Sequence, residues 1–332
     1  MRERSVDAVA EEAGFSGALR VDRGDRIEIA EAYGLAHRAH AIPNTVDTQF
    51  GIASGTKGLT ALAVASLIED GSLELTTTIR SVLGEDLPLI DGAATIEHLL
   101  SHRSGIGDYL DENTDLDATD YLMPVPVQEL ATTEDYLAVL GGHPTKFAPD
   151  TEFAYCNSGY VVLALIAERV SRMPFHDLVR QRVCEPAEMR DTEFLRSDDL
   201  PGRAAIGYLE INGVSRANVF HLPVRGSGDG GIYTTVADIS SFWHALFAGR
   251  IVSADMLAEL LRPRSDVPRH SMRYGLGFWL HESTDVVILT GGDAGVAFRS
   301  EHDPVRNSTH TVISNTSDGG ARPVFELLRE RY

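Results

Sequence analysis

The stretch Phe50-Gly51-Ile52-Ala53-Ser54-Gly55-Thr56-Lys57 runs on into Gly58-Leu59-Thr60-Ala61-Leu62-Ala63-Val64-Ala65-Ser66-Leu67-Ile68-Glu69-Asp70-Gly71. It reads as a short extended run turning into a helix, with a serine at the turn and a lysine three residues later. Leu59, Leu62, Ala63, Ala65, Leu67 and Ile68 leave almost no polar face, which predicts a central, buried helix. Gly71 supplies its stop. Residues at i and i+3 share a helix face, so Lys57 can set its amino group beside the Ser54 hydroxyl. A serine hydroxyl is a weak nucleophile until a neighbouring base takes its proton. A lysine serves as that base where burial or charge lowers its pKa.

Lysine usage strengthens this reading. The chain has two lysines, Lys57 and Lys146, against 27 arginines. Arginine is not deprotonated in proteins. A lysine at the head of the most apolar helix therefore points to a group that must be able to lose a proton.

The 332 residues are enough for one large or two smaller domains. Hydrophobic content of 43% and charged content of 23% suit an ordinary globular protein. A net charge of −20 argues against binding to nucleic acid or an anionic membrane, both of which need positive surface. Cys156 and Cys184 are too few and too far apart for a disulfide framework or a zinc site. The segment from Met1 through Glu12 has no apolar core of a secretory signal, and no apolar run approaches a membrane span. The expectation is a cytoplasmic protein.

Residues 5–14 read as an amphipathic helix, and Phe15 to Asp22 alternates like a strand. Arg23-Gly24-Asp25 turns the chain into a second arm, Arg26 to Ala32. Helical patterns then dominate to about residue 200, with helices expected at 96–100, 130–140 and 157–170. Residues 106–129, with acids crowded into 108–120, read as a surface loop that shapes a pocket mouth. Strand-like sequence returns at 204–211, 231–235, 276–281, 285–289 and 310–314, and helices at 238–247, 253–261 and 322–331. Sheet at both ends around a helical middle predicts an α/β lobe with an all-helical lobe inserted, and a site at their junction.

Several segments bear on family. They are Ser54-Gly55-Thr56-Lys57, Leu99-Leu100-Ser101-His102-Arg103-Ser104-Gly105-Ile106, Pro149-Asp150-Thr151, Phe153-Ala154-Tyr155-Cys156-Asn157, Gly228 to Asp238 and Tyr274-Gly275-Leu276-Gly277-Phe278. In this order they resemble the serine β-lactamase and penicillin-binding protein superfamily, in particular its class C β-lactamase-like and esterase branch. Ser54 and Lys57 match its Ser-x-x-Lys element, and Tyr155 and Asn157 its Tyr-x-Asn element. The chain departs at Arg103, where threonine is usual, and at Asp150, where glycine is usual. The resemblance implies an α/β, β-lactamase-like fold with an antiparallel sheet flanked by helices. It would be a single domain, with an α/β lobe from about 1–53 plus 204–332 and a helical lobe from about 54–203.

A phenol with pKa near 10 is a poor base, but an adjacent ammonium favours phenolate. Tyr155 beside Lys57 is therefore expected to share the handling of the Ser54 proton and pass it to a leaving group. Asn157 is suited to holding a substrate carbonyl or orienting Lys57. Val286-Val287-Ile288-Leu289-Thr290-Gly291-Gly292 is similar to the edge strand that carries Lys-Thr-Gly, or a histidine version of it. Leu289 then takes the charged position, with Thr290 and Gly291 beside it in substrate binding. A leucine cannot bind the carboxylate of penicillins or peptidoglycan stems. The resemblance also implies an oxyanion hole from the backbone N–H groups of Ser54 and Gly292.

Other constellations fall away. There is no Gly-x-Ser-x-Gly elbow. His98 and His102 lack the glutamate of a zinc-protease helix, and the glycine run 226–231 lacks the lysine of a phosphate cradle. The sequence thus predicts a serine hydrolase acting through an acyl-enzyme on a small ester or amide, without metal or organic cofactor. The alternatives are a β-lactamase or D-Ala-D-Ala carboxypeptidase, and a catalytically silent relative that binds a ligand or partner. The oligomeric state stays open.

Overall fold

In the computed structural model, which describes residues 4–112, 122–317 and 320–332, the alternating segments at the two ends of the chain meet in one sheet. Ser5 caps helix α1 (Val6–Glu12) by accepting the Ala8 N–H. Strands β1 (Gly17–Arg23) and β2 (Arg26–Tyr33) form the first hairpin. Helices α2 (Thr56–Glu69), α3 (Asn157–Ser171), α4 (Val236–Phe247) and α5 (Ala254–Leu261) follow. The second group of strands is β3 (Ser265–Val267), β4 (Met272–Tyr274), β5 (Trp279–His281), β6 (Val287–Asp293), β7 (Val296–Asp303) and β8 (Ser308–Ser314). Helix α6 (Ala321–Arg331) comes last.

The strand order is β2-β1-β8-β7-β6-β5-β4-β3, antiparallel throughout. The two ends of the chain join where β1 pairs with β8, Gly17 opposite Ser314 and Arg23 opposite Ser308. Helices α1 and α6 cover one face through Val9, Phe15, Leu19, Val312, Val324 and Leu328. The main core lies on the other face and includes α2, α3 and α4. Helix α2 is buried from Thr56 to Leu67, as an all-apolar helix must be. Each fully buried leucine, valine or phenylalanine contributes roughly 1.5–3 kcal/mol. The fold is the expected antiparallel sheet flanked by helices.

Individual elements differ from the sequence reading. Strand β7 lies inside the sheet, yet hydrophobic alternation does not announce it, because its buried residues include Ser300, Glu301 and His302. Their polarity is satisfied locally. Trp243 Nε1 donates to Ser300 Oγ at 2.8 Å, Ser300 Oγ lies 2.8 Å from Thr311 Oγ1, and His302 Nδ1 lies 2.9 Å from Thr309 Oγ1. The helix expected at 130–140 is a short 3-10 turn, Glu134–Tyr136, followed by Leu137–Leu140. The strand expected at 204–211 shortens to Tyr208–Ile211 and pairs outside the main sheet with Val214–Ala217. Strand β6 extends past Leu289 to Asp293. Of the expected loop at 106–129, residues 113–121 lie outside the described residues. Among the described residues no helix is long and apolar enough to cross a membrane.

The Trp243–Ser300 bond ties α4 to a strand with a polar buried face. Trp243→Phe should lower unfolding stability by about 1–3 kcal/mol in urea titration. A Phe variant as stable as the wild type would show that the bond contributes nothing.

Candidate active site

Phe50–Gly51 pairs with Tyr233–Thr234, which brings the chain to a tight 3-10 turn, Ala53–Gly55, ahead of α2. Ala53 takes a left-handed backbone, φ +44, a conformation that costs a non-glycine residue about 1–3 kcal/mol. The turn is secured to the glycine-rich segment that follows residue 225. Ile52 N donates to Ile232 O (3.1 Å), Ile232 N to Thr56 Oγ1 (3.2 Å), and Thr60 Oγ1 to Gly228 O (2.7 Å). Ser54 emerges half-buried at this turn. Strand β6 lies against it at Gly291. A Cβ there would stand 2.2 Å from Ile52 O and 2.8 Å from Ser54 N, so only glycine allows the approach.

Lys57, 2% exposed, extends its Nζ to three oxygens: Ser54 Oγ at 2.9 Å, Asn157 Oδ1 at 2.8 Å and the Asp229 carbonyl at 2.7 Å. Asn157 Nδ2 in turn donates to Leu110 O (2.9 Å) and Glu112 Oε1 (3.0 Å). These two acceptors fix the amide orientation, so its oxygen must face the lysine. Two of the lysine's N–H bonds thus go to groups that only accept. Its third direction points at the serine hydroxyl.

Asn157 opens α3, and Cys156 before it provides no side-chain cap. Asp108 does so from the preceding loop, accepting Asn157 N on Oδ2 and Ser158 N on Oδ1, both at 2.8 Å. Tyr109 adds a bond from its N to Ser158 Oγ (2.9 Å) and from its hydroxyl to Asp229 Oδ2 (2.5 Å). Tyr155, two residues before Asn157, sets its ring over Lys57. Its ring centroid lies 4.8 Å from Lys57 Nζ and stacks on Trp279 at 6.1 Å.

Burial, then the Glu112 charge, push the Tyr155 phenol well above its ordinary pKa, and the neighbouring Ser54 hydroxyl offsets this only in part. The expected phenolate is therefore corrected: surrounding acids and desolvation keep Tyr155 a neutral donor. The Cys156 thiol is raised by burial and sits 3.9 Å from Ile106 O, which leaves it inert.

Ser54, Lys57, Tyr155 and Asn157 come together, and Gly292 stands in the wall of the same cleft. The other expected substrate contacts on β6 need correction. Leu289 is core, 2% exposed, packed where a Cβ on Gly58 would meet its Cδ2 at 2.5 Å. Thr290 bonds the Phe298 carbonyl at 3.1 Å and faces the opposite side of the sheet with Phe325. Gly291 abuts the serine turn. Strand alternation puts Leu289 against α2 and Thr290 away from the cleft, and only Gly292 and Asp293 reach it.

The cleft encloses about 610 Å³. Met123, Leu195, Val219, Leu222 and Val296 form its apolar side, while Asp108, Glu112, Asp229 and Asp293 also line it. None of its described lining residues is lysine or arginine. Burial raises the Asp229 carboxyl, with Lys57 and Tyr109 opposing. It raises Asp293 to about 7, with Asp229 and Glu112 adding to the rise. Among the described residues no group of histidine, cysteine and acidic side chains is placed to hold a metal ion. The sequence reading missed Asp108, Glu112, Asp229 and Asp293. Asp229 grips Lys57 through its carbonyl, a group every residue has, so no residue type could have signalled it.

The two departures noted in the sequence meet in space. Asp150 takes φ +66, which explains the usual glycine, and its carboxylate accepts Arg103 Nε at 2.7 Å. Arginine and aspartate have replaced threonine and glycine as a bonded pair.

Comparison with known proteins agrees with this fold. The chain superposes on the crystal structure of a penicillin binding protein from Bacillus halodurans with a TM-score of 0.93 and 33% identity, covering 99% of this chain and 100% of that one. Penicillin-binding protein 4 of Amycolatopsis lactamdurans is 32% identical over 69% of this chain and 58% of its own length. Esterase EstB of Burkholderia gladioli is 34% identical over 61% of this chain and 52% of its own. The chain spans 52% to 66% of the length of these and other curated relatives. The family profile described as Beta-lactamase matches residues 3–330, and the chain belongs to the beta-lactamase family.

Proposed function

We propose that the chain is a serine hydrolase that acts through an acyl-enzyme on a neutral or cationic ester or amide. The observation that carries this is the three-way contact of Lys57 Nζ. A neutral amine has two N–H bonds and one lone pair. Asn157 Oδ1 and the Asp229 carbonyl take the first two, so the lone pair faces the Ser54 hydroxyl and can accept its proton as the oxygen attacks.

The remaining steps use groups already in place. The Ser54 and Gly292 N–H groups hold the developing oxyanion. Tyr155, kept neutral, gives its proton to the leaving alkoxide or amine and recovers one from Lys57. Water entering from the cleft then attacks the acyl-enzyme along the reverse proton route and frees the acid. An esterase among the relatives supports the class.

A penicillin-like substrate is the second reading, favoured by the names of two of the proteins it resembles. The cleft weighs against it. Leu289 is turned into the core, and carboxylates line the wall where a substrate carboxylate would need a cation.

Three outcomes follow. A fluorophosphonate should add to the wild type at Ser54 and leave Ser54→Ala unmodified by intact-mass spectrometry. Lys57→Met should slow nitrophenyl ester hydrolysis by about 100- to 10,000-fold, the usual range for a general base. Full activity in either variant would end the proposal, and no adduct in the wild type would favour a silent binding protein.

Second, cationic and neutral esters should be cleaved with higher kcat/KM than a carboxylate-bearing analogue, and a fluorescent penicillin should give no stable adduct. Penicillin labelling of Ser54 would move the function to β-lactam chemistry.

Third, Asp293 should make stability fall as pH rises. Its native pKa of about 7 lies above the ordinary carboxyl value of 3.8. The unfolded chain therefore ionises first, and the native state binds the extra proton between those values. Asp293→Asn should gain unfolding stability over the wild type as pH rises from about 4 to 7, with no further gain above. A constant difference would refute the shift.

A further inference from the structure

Tyr155, Cys156 and Asn157 enter the site as one strip of chain, and His102 holds its middle. His102 is 1% exposed and takes a left-handed backbone, φ +57. Its carbonyl accepts Ala154 N at 2.9 Å, and its Nδ1 accepts Cys156 N at 3.0 Å. The imidazole also packs against the Tyr155 ring, centroids 4.3 Å apart and planes tilted by 38°. One residue thus grips the strip by two backbone bonds and one ring.

The far side of the ring shows why the grip has a single polarity. Nε2 lies 3.1 Å from the Tyr274 hydroxyl, which lies 3.3 Å from the Tyr160 hydroxyl, and Tyr160 donates to the Leu100 carbonyl at 2.8 Å. The Cys156 N–H can only donate and the Leu100 carbonyl can only accept. Every hydrogen between them must therefore point the same way: Cys156 N–H to Nδ1, Nε2–H to Tyr274, Tyr274 to Tyr160, Tyr160 to Leu100. A proton on Nδ1 would confront the Cys156 N–H and break the strip's central bond. Burial, with the Lys57 charge, disfavours the imidazolium in the same sense.

We propose that His102 is a positioning residue for the reaction: its bare Nδ1, by holding the Cys156 N–H, fixes Tyr155 and Asn157 on either side against Ser54 and Lys57. The proposal rests on the hydrolase reading above. His102 touches no substrate, and it acts through the two residues it places.

The test compares His102→Gly with His102→Asn, since both residues accept the left-handed backbone. Glycine removes the acceptor, whereas asparagine returns an oxygen where Nδ1 stands. With a short-chain nitrophenyl ester, kcat should fall about 100-fold in His102→Gly, the usual cost of a small misplacement. KM should stay within about threefold, because ground-state binding is not what is lost. His102→Asn should recover about tenfold or more of kcat. Unchanged kcat in His102→Gly, or equal losses in both variants, overturns the proposal.

Should His102→Gly fail to fold, 15N NMR of the histidine-labelled wild type decides, with His102→Asn assigning the signal. A bare Nδ1 and protonated Nε2 support the proposal, and a proton on Nδ1 overturns it. Tyr155→Phe runs alongside. Full activity there overturns the proton-carrier reading and the proposal with it. Lost activity there with unchanged kcat in His102→Gly overturns the positioning role alone.

Discussion

The site depends on where one amino group is held. Lys57 Nζ is buried beneath the cleft, and its two strictly accepting neighbours come from distant parts of the chain: the Asp229 carbonyl and the Asn157 amide. A buried amine without such partners would cost several kcal/mol. With them, its remaining direction is set toward Ser54. Much of the surrounding structure maintains this arrangement. Asp108 caps the helix that carries Asn157, Leu110 and Glu112 fix that amide's orientation, and Tyr109 holds the Asp229 side chain. The lysine organises the site because several elements must be correct before it can be.

Much of this was legible in the sequence, for a physical reason. Ser54, Lys57, Tyr155 and Asn157 are recognisable because their chemistry resides in side chains at short spacings. The helix after Ser54 is recognisable because it is apolar on every side. What escaped belongs to other classes. A carbonyl grip such as that of Asp229 leaves no residue-type signal. Strand β7 buries Ser300 and His302, so a pattern based on hydrophobicity passes over it. Leu289 lies in a run, Val287-Ile288-Leu289, that is buried on both faces of the sheet. Alternation there carries no information about which face meets the cleft, and the assignment of Leu289 to substrate failed for that reason. The protonation of Tyr155 depends first on its burial and then on Glu112 and Asp229, which sequence could not place beside it.

The cleft combines an apolar wall with carboxylates near the serine turn. Low-dielectric surroundings strengthen such charges, and burial first, with the neighbouring carboxylates adding to it, raises the Asp229 and Asp293 carboxyls.

The join between the two ends of the chain has a consequence for biosynthesis. Strand β1 finds its partner only when β8 appears, and 285 residues separate Arg23 from Ser308. At about 5–20 residues per second of synthesis, the first hairpin waits roughly 15 s to a minute with one edge unpaired. An edge left open that long is a template for pairing with other chains. Strand β6, which carries the Gly292 amide, is likewise made long after Ser54. A nascent chain therefore has its serine and lysine in hand well before it has the strand that completes the cleft. The strand that completes the cleft thus arrives shortly before the strand that closes the sheet.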